Sequence, residues 1–283
     1  MMDLRAHAKI NLHLHSVQRR QDGYHELDTV FCHLDLHDDV HVTLRQGVIE
    51  LESQTGLSVT EDLAGRAATS LQAELSDAAL GCALRIIKRI PAGGGLGGGS
   101  ADAAAVLRGL AELWSAPPAT VASLAAQLGA DVPFLLKGGL ARAGGVGDEL
   151  TPLATPLHPA QVTLLFPGVP VSTPEAYRWL DEDGLDRDHQ GARHLERLLA
   201  ELQTGSPNFI KHVYNSFDAP VCRRVPEVRA AFQAAQSLGL RPLLCGSGST
   251  VAAFGRLPGG AKEALSPFQP ITASLAGFAG SYA

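Results

Sequence analysis

The chain has 283 residues, which at a typical domain size of about 150 is material for roughly two domains. Apolar residues make up 45 % and charged residues 18 %, enough for packed cores and too little charge for wholesale disorder. With 23 basic against 29 acidic side chains the formal charge is −6, which argues against a broad surface for nucleic acid or an anionic membrane and leaves room for a local phosphate pocket.

The first residues lack an apolar signal core, and no apolar run approaches the roughly 18 residues of a membrane span, so a cytoplasmic protein is expected. Residues 8–15 alternate Ile10, Leu12 and Leu14 with polar neighbours and predict a strand. A polar turn at 19–23 leads to strands predicted at 27–36 and 39–44. Cys32, Cys82, Cys222 and Cys245 form no CxxC pair and are too sparse for a disulfide scaffold, so they are expected to be reduced. A helix is predicted over 63–75, then a short strand around Leu84, Ile86 and Ile87 that Pro91 stops. Residues 101–114 read as an Ala-rich helix with Val106, Leu107, Leu110, Leu113 and Trp114 as its buried stripe. Thr120 is expected to cap the next helix, which stops at Gly129. Residues 138–147 carry the punctuation of turns between short strands.

Pro152, Pro156 and Pro159 fall close together, and a domain boundary is placed there, dividing the chain into 1–155 and 156–283. The second half opens with a strand at 162–166. A helix follows at Pro174, with Ser172 and Glu175 spaced as a capping box. Two more helices fit 194–203 and 226–238, and Gly246, Ser247, Gly248 and Ser249 then interrupt two apolar stretches. Strands and helices mix without regular alternation, which predicts an α+β fold and not a doubly wound sheet.

The most informative stretch is 91–102, where six glycines lie within seven positions directly before a good helix former. So many glycines are costly to order. They let backbone N–H groups approach a ligand closely, and the helix N-terminus adds unpaired donors and partial positive charge. Together these suit a polyphosphate. The Walker pattern fails, because Gly98 is followed by Gly99 and not by Lys. The dinucleotide pattern is met formally by Gly93, Gly95 and Gly98, but Ser115-Ala116-Pro117-Pro118 stands where its acid-bearing second strand belongs. A flexible linker is the plain alternative.

This run resembles the phosphate loop of the GHMP kinase superfamily, roughly P-x-G-x-G-L-G-x-S-S/A. The resemblance covers most of the chain: Ala8-Lys9-Ile10-Asn11-Leu12, Asp22-Gly23-Tyr24-His25, the stretch from Leu128 to Phe134, the stretch from Val171 to Tyr177, and Gly246-Ser247-Gly248-Ser249. Their joint occurrence in this order is similar to the branch whose acceptor is a cytidine diphosphate derivative of methylerythritol. The resemblance implies an N-terminal nucleotide domain of the ribosomal S5 domain 2-like type and a C-terminal ferredoxin-like α/β sandwich domain. It implies ATP-dependent phosphorylation of the acceptor's 2-hydroxyl in non-mevalonate isoprenoid precursor synthesis, with Mg²⁺ accompanying ATP. The expected protein is a monomer or weak homodimer with a small-molecule substrate and no nucleic-acid or membrane partner. Homoserine-type or mevalonate-type kinases of the same superfamily, and a nucleotide-binding regulator without catalysis, are the alternatives. The chain departs from the pattern at Ala101, where a second Ser is frequent, at Ser216, where an acid is common, and at Cys245, where Ser is common.

Under the resemblance, Pro91, Gly93, Gly94, Gly95, Leu96, Gly97, Gly98, Gly99 and Ser100 hold the ATP phosphates. Asp131 is the catalytic base at the acceptor and Lys9 its partner. From the residues alone, the favoured readings are the cap of the next helix for Asp131 and a snorkelling strand lysine for Lys9, and the resemblance reverses both. Asn11 shares the strand face of Lys9 and is expected at the acceptor hydroxyl. Tyr24 and His25 follow a turn and are expected in a groove, with His25 and Tyr177 on opposite faces of the cytosine. Phe31 is expected to line the pocket, and Gly246 and Ser247 to close it. No metal ligand is assigned, Ser100 being the nearest candidate.

Overall fold

The computed structural model describes residues 1–155, 157–184 and 190–276. Two long antiparallel strands, β1 (Met2–Arg19) and β2 (His25–Gln46), dominate the first half. Their register shifts between His7 and Lys9 and between Asn11 and His13, so the stretch carrying Lys9 and Asn11 is bracketed by two irregularities. Bulges of this kind re-aim side chains beside a site. Next come β3 (Ile49–Ser53), α1 (Leu63–Glu74) and β4 (Leu80–Ile87). Then follow α2 (Gly98–Leu113), α3 (Pro118–Leu128), α4 (Val132–Lys137), β5 (Leu140–Gly144) and β6 (Glu149–Pro152).

The rest of the chain forms β7 (Gln161–Leu165), α5 (Thr173–Asp183), α6 (Gln190–Gln203), β8 (Tyr214–Asn215), α7 (Asp218–Arg224) and α8 (Pro226–Ser237). A β9 (Arg241–Leu244) to β10 (Val251–Phe254) hairpin, the short α9 (Ala261–Leu265) and β11 (Ile271–Ala276) complete it. Among the described residues one sheet runs in the order β3-β4-β2-β11-β7-β10-β9. The last strand joins the halves, with Leu275 opposite Leu34 of β2 and Ala273 opposite Val162 of β7. This is the expected α+β mixture. No helix of the described residues is long and apolar enough to cross a membrane.

The larger core draws on both halves, packing Ile10, Leu12, Val30 and Leu34 with Val162, Leu164 and Leu243. Helix α2 buries every residue from 101 to 107, and Gly109 and Leu110 beyond them. Alanines have no long side chain to keep neighbours away, so the helix sits close against α1, α4 and β1. That packing fixes the end of the glycine run. A second core around Leu165, Leu180, Phe217, Val221 and Val251 holds α5, α7 and the β9–β10 hairpin together. The four cysteines are free.

Several expectations need correction. Strands predicted at 27–36 and 39–44 are one strand, because the polar His37-Asp38-Asp39 stretch is not a break: Asp38 is fully buried and accepts the Arg89 and Ile90 amides just past the end of β4. The helix predicted to be capped by Thr120 begins at Pro118, a proline pre-set for the first helical position. The box at Ser172 and Glu175 does not form. Ser172 holds the cap position without a side-chain bond, and Glu175 pairs with Arg178. Of the three prolines placed at the domain boundary, Pro156 lies outside the described residues.

Candidate active site

A cavity of about 660 Å³ opens between the glycine run, the Lys9 end of β1 and the elements α5 and β9–β10 of the second half. Every residue from Pro91 to Ser100 lines it. The run is no slack linker. Gly93, Gly95 and Gly97 have φ of 69°, 77° and 73°, left-handed values that only glycine adopts without strain. At Gly95 a Cβ would stand 1.9 Å from the Cys245 carbonyl oxygen, and at Gly94 2.2 Å from Thr250 Oγ1. The loop is thus pressed against the β9–β10 turn. Helix α2 starts at Gly98 with Gly97 as its N-cap and no side-chain cap, which leaves the first-turn amides without a side-chain partner.

Lys9 is buried in β1, and its amide donates to the Leu96 carbonyl at 2.9 Å, tying strand to loop. Its ammonium donates to Asn11 Oδ1 at 3.1 Å, lies 3.3 Å from Asp131 Oδ2, and sits 5.4 Å from the centroid of the Phe31 ring. A buried cation with a carboxylate, an amide oxygen and an aromatic face around it is compensated, not snorkelling. Asn11 is oriented in turn by donating to Thr29 Oγ1 at 2.8 Å, and Thr29 donates to the His13 carbonyl at 2.6 Å. Asp131 occupies the N-cap position of α4, yet its side chain makes no capping bond. Its carboxylate faces Lys9 and the cavity instead. Phe31 lines the cavity backed by Phe134, with ring centroids 5.0 Å apart. Gly246 and Ser247 also line it, and the Ser247 hydroxyl lies 2.8 Å from that of Thr173.

The aromatic end differs from expectation. Tyr177 lines the cavity, and burial together with the nearby Asp131 charge pushes its phenol up to about 12, so it stays neutral. His25 does not face it across a gap. The two rings stack directly, with centroids 4.5 Å apart and planes 24° from parallel, which leaves no space for a base between them. The cause is Asp181, one turn further along α5, whose carboxylate holds His25 Nε2 at 2.7 Å. His25 therefore backs Tyr177 from behind. Tyr24 is 65 % exposed and lies outside the cavity wall.

Residues not anticipated from the sequence also line the cavity. Among them are Thr29, Leu57, Lys88, Asp102 and Thr173. Lys88 carried a usable signal, as one of two adjacent cations, Lys88-Arg89, between a short apolar strand and the glycine run. Thr173 lies in the Val171 to Tyr177 stretch that carries the resemblance, and Leu57 carried no signal. Burial pushes the Asp102 carboxyl up to about 7.

Residues 62–139 match the family model described as the N-terminal domain of GHMP kinases. The chain is 45 % identical over 249 residues to the 4-diphosphocytidyl-2-C-methyl-D-erythritol kinase of Xanthomonas campestris pv. campestris, covering 86 % of this chain and 79 % of that one. The crystal structure of a 4-(cytidine 5′-diphospho)-2C-methyl-D-erythritol kinase is similar throughout, with TM-score 0.82, 38 % identity, and 98 % of this chain and 100 % of that chain covered. The Methanococcus jannaschii mevalonate kinase shares the fold, with TM-score 0.74 at 11 % identity over 98 % of each chain. The chain belongs to the GHMP kinases and, within them, to the family of the 4-diphosphocytidyl-2-C-methyl-D-erythritol kinases.

Proposed function

We propose that this chain transfers the γ-phosphoryl group of ATP to the 2-hydroxyl of 4-diphosphocytidyl-2-C-methyl-D-erythritol, with Asp131 as base and Lys9 as its partner. The observation that carries this reading is the cavity itself, which has the glycine run along one wall and the Lys9–Asp131 pair on another. Amides of residues 94–100 receive the phosphates. The 2-hydroxyl gives its proton to Asp131 as its oxygen attacks the γ-phosphorus and ADP departs. Lys9 holds the carboxylate in place and offsets negative charge that develops between acceptor and phosphate. Asn11, fixed by Thr29, is placed to hydrogen-bond the acceptor near that hydroxyl.

Tyr177 offers the cytosine one aromatic face, with His25 as its support and Tyr24 as the exposed residue above the groove. Gly246 and Ser247 cover the acceptor's phosphates from the second half. Residues 1–155 thus supply the phosphate loop together with Lys9, Asn11 and Asp131 at the acceptor hydroxyl, and 156–283 complete the acceptor side with Tyr177, Gly246 and Ser247. Mg²⁺ enters with ATP and neutralises phosphate charge when bound. Ser100 supplies a hard oxygen on the cavity wall, and among the described residues no group of three or more His, Cys, Asp or Glu is set to hold a metal. Such a donor set fits Mg²⁺, which commonly keeps its waters and substrate phosphates and takes only one or two protein oxygens. The reaction belongs to the cytoplasm, and a monomer or weak homodimer with a small-molecule substrate suffices for it.

An acceptor panel tests the assignment: ATP with the cytidyl acceptor, homoserine or mevalonate, following ADP release. Turnover with the cytidyl acceptor alone is expected. Turnover with homoserine or mevalonate and none with the cytidyl acceptor would remove the reading.

A further inference from the structure

The phosphate loop leaves β4 through Lys88, Arg89 and Ile90 and returns to the fold in the first turns of α2. Both ends meet at one buried ion cluster. Asp38 of β2 accepts the Arg89 amide at 2.5 Å and the Ile90 amide at 2.8 Å through Oδ1, and the Lys88 ammonium at 2.5 Å through Oδ2. The same ammonium donates to Asp102 Oδ2 at 2.5 Å, one turn inside α2. Asp38 is 0 % and Asp102 3 % exposed. One cation thus joins the segment that enters the loop from β4, the helix leaving it and, as a third element, β2. Ile90 packs under Gly98 at the same place, where a Cβ would stand 3.1 Å from Ile90 Cγ2 and 3.6 Å from Lys88 Nζ.

We infer that Lys88, bridging Asp38 and Asp102, is a positioning residue that closes the neck of the phosphate loop and so fixes the amides of 97–100 for the triphosphate. A loop of six glycines has a large conformational freedom to lose on binding. Clamping its two ends removes much of that freedom before the ligand arrives, and preorganisation of this kind appears as affinity. A buried ion cluster contributes little net stability against an apolar replacement, so its use lies in fixing geometry. Lys88 and Asp102 both line the cavity, which puts the clamp beside the bound nucleotide and not in a remote core. Lys88 is committed to two carboxylates, so it acts through the loop and not as a phosphate ligand.

This inference rests on the reading that the ATP phosphates lie in the loop. The test uses the full chain carrying Lys88→Met with Asp102→Asn, which removes the cation and one carboxylate together and leaves Asp38 on its two amides. KM for ATP is expected to rise about tenfold or more, which is 1.4 kcal/mol per decade, while KM for the acceptor stays within about twofold. Amides of 94–100 in the free variant should exchange hydrogen faster than in the wild type, with the β9–β10 hairpin unchanged. An unchanged ATP KM in a folded variant, or equal rises for both substrates, would overturn the inference. If the double variant does not fold, Asp102→Asn alone is read in the same way, and an ATP KM equal to the wild type counts against it. Failure of the underlying reading looks different. A non-hydrolysable ATP analogue would then leave amides 94–100 unprotected in the wild-type protein itself.

Discussion

Replacing Asp131 by Asn separates its two possible roles. Asn and Asp are equally good helix caps, so a capping residue would tolerate the change. The Asp131 side chain makes no cap bond in any case. What the change removes is the negative charge 3.3 Å from Lys9 Nζ and the capacity to take a proton. The carboxylate is 31 % exposed, so the screened ion pair contributes about 1 kcal/mol or less to stability. Lys9 keeps the Asn11 oxygen and the Phe31 face. Folding should therefore be nearly intact while catalysis fails. Loss of a positioned base lowers kcat by about 10²–10⁴-fold, which is about 2.7–5.4 kcal/mol of transition-state stabilisation at 1.36 kcal/mol per decade. Steady-state ADP release at saturating ATP and acceptor gives kcat, and thermal unfolding gives the stability change. A variant with kcat within about threefold of wild type would refute Asp131 as base, because among the described residues no other carboxylate pairs with Lys9 to replace it.

Other outcomes follow from the same geometry. Gly95→Ala places a Cβ 1.9 Å from the Cys245 carbonyl oxygen at a φ of 77°, and should abolish ATP binding in titration calorimetry. Gly93→Ala meets nothing within 4 Å, and should cost only the backbone strain of about 1–2 kcal/mol. Tyr177→Ala should raise KM for the acceptor about tenfold or more and leave KM for ATP alone, whereas Tyr177→Phe, which keeps the ring on the cavity wall, should stay within about threefold. His25→Ala should raise the acceptor KM by less than Tyr177→Ala, because His25 acts only through the ring it supports. Burial lowers His13 and His33 to about 3. Above about 6.5 both are neutral folded and unfolded; below it the unfolded chain takes up protons that the fold refuses. Stability is then lost at up to about 1.4 kcal/mol per pH unit for each histidine. Tm should fall on acidification from pH 6.5 to 5, and His13→Phe should flatten that fall.

What the sequence revealed was local. The glycine run pointed to phosphate by its residue types, while Lys9 and Asp131 each sit in a contiguous motif that gained a role only through the family resemblance. The alternation in β1 placed Lys9 and Asn11 on a common face, and the Lys9 to Asn11 contact bears that out. Long-range pairing was hidden. Asp38, Lys88 and Asp102 are 50 and 14 residues apart, and only the sheet register and α2 bring them together. Asp38 also misled, since an acid in a polar triplet looks like a turn until its amide partners in the segment after β4 are known. The motifs brought His25 and Tyr177 to one site, but their direct stack goes with Asp181, 156 residues from His25 along the chain, which no motif announced. Short elements such as β8 and α7 were missed because two to seven residues carry too little periodicity to read.

The most direct test of the whole account is a crystal structure with a non-hydrolysable ATP analogue and the cytidyl acceptor bound together. The γ-phosphate should lie against the amides of 94–100, with the acceptor's 2-hydroxyl oxygen about 2.6–3.2 Å from the Asp131 carboxylate. A triphosphate bound away from the glycine run, or a 2-hydroxyl out of reach of Asp131, would contradict it.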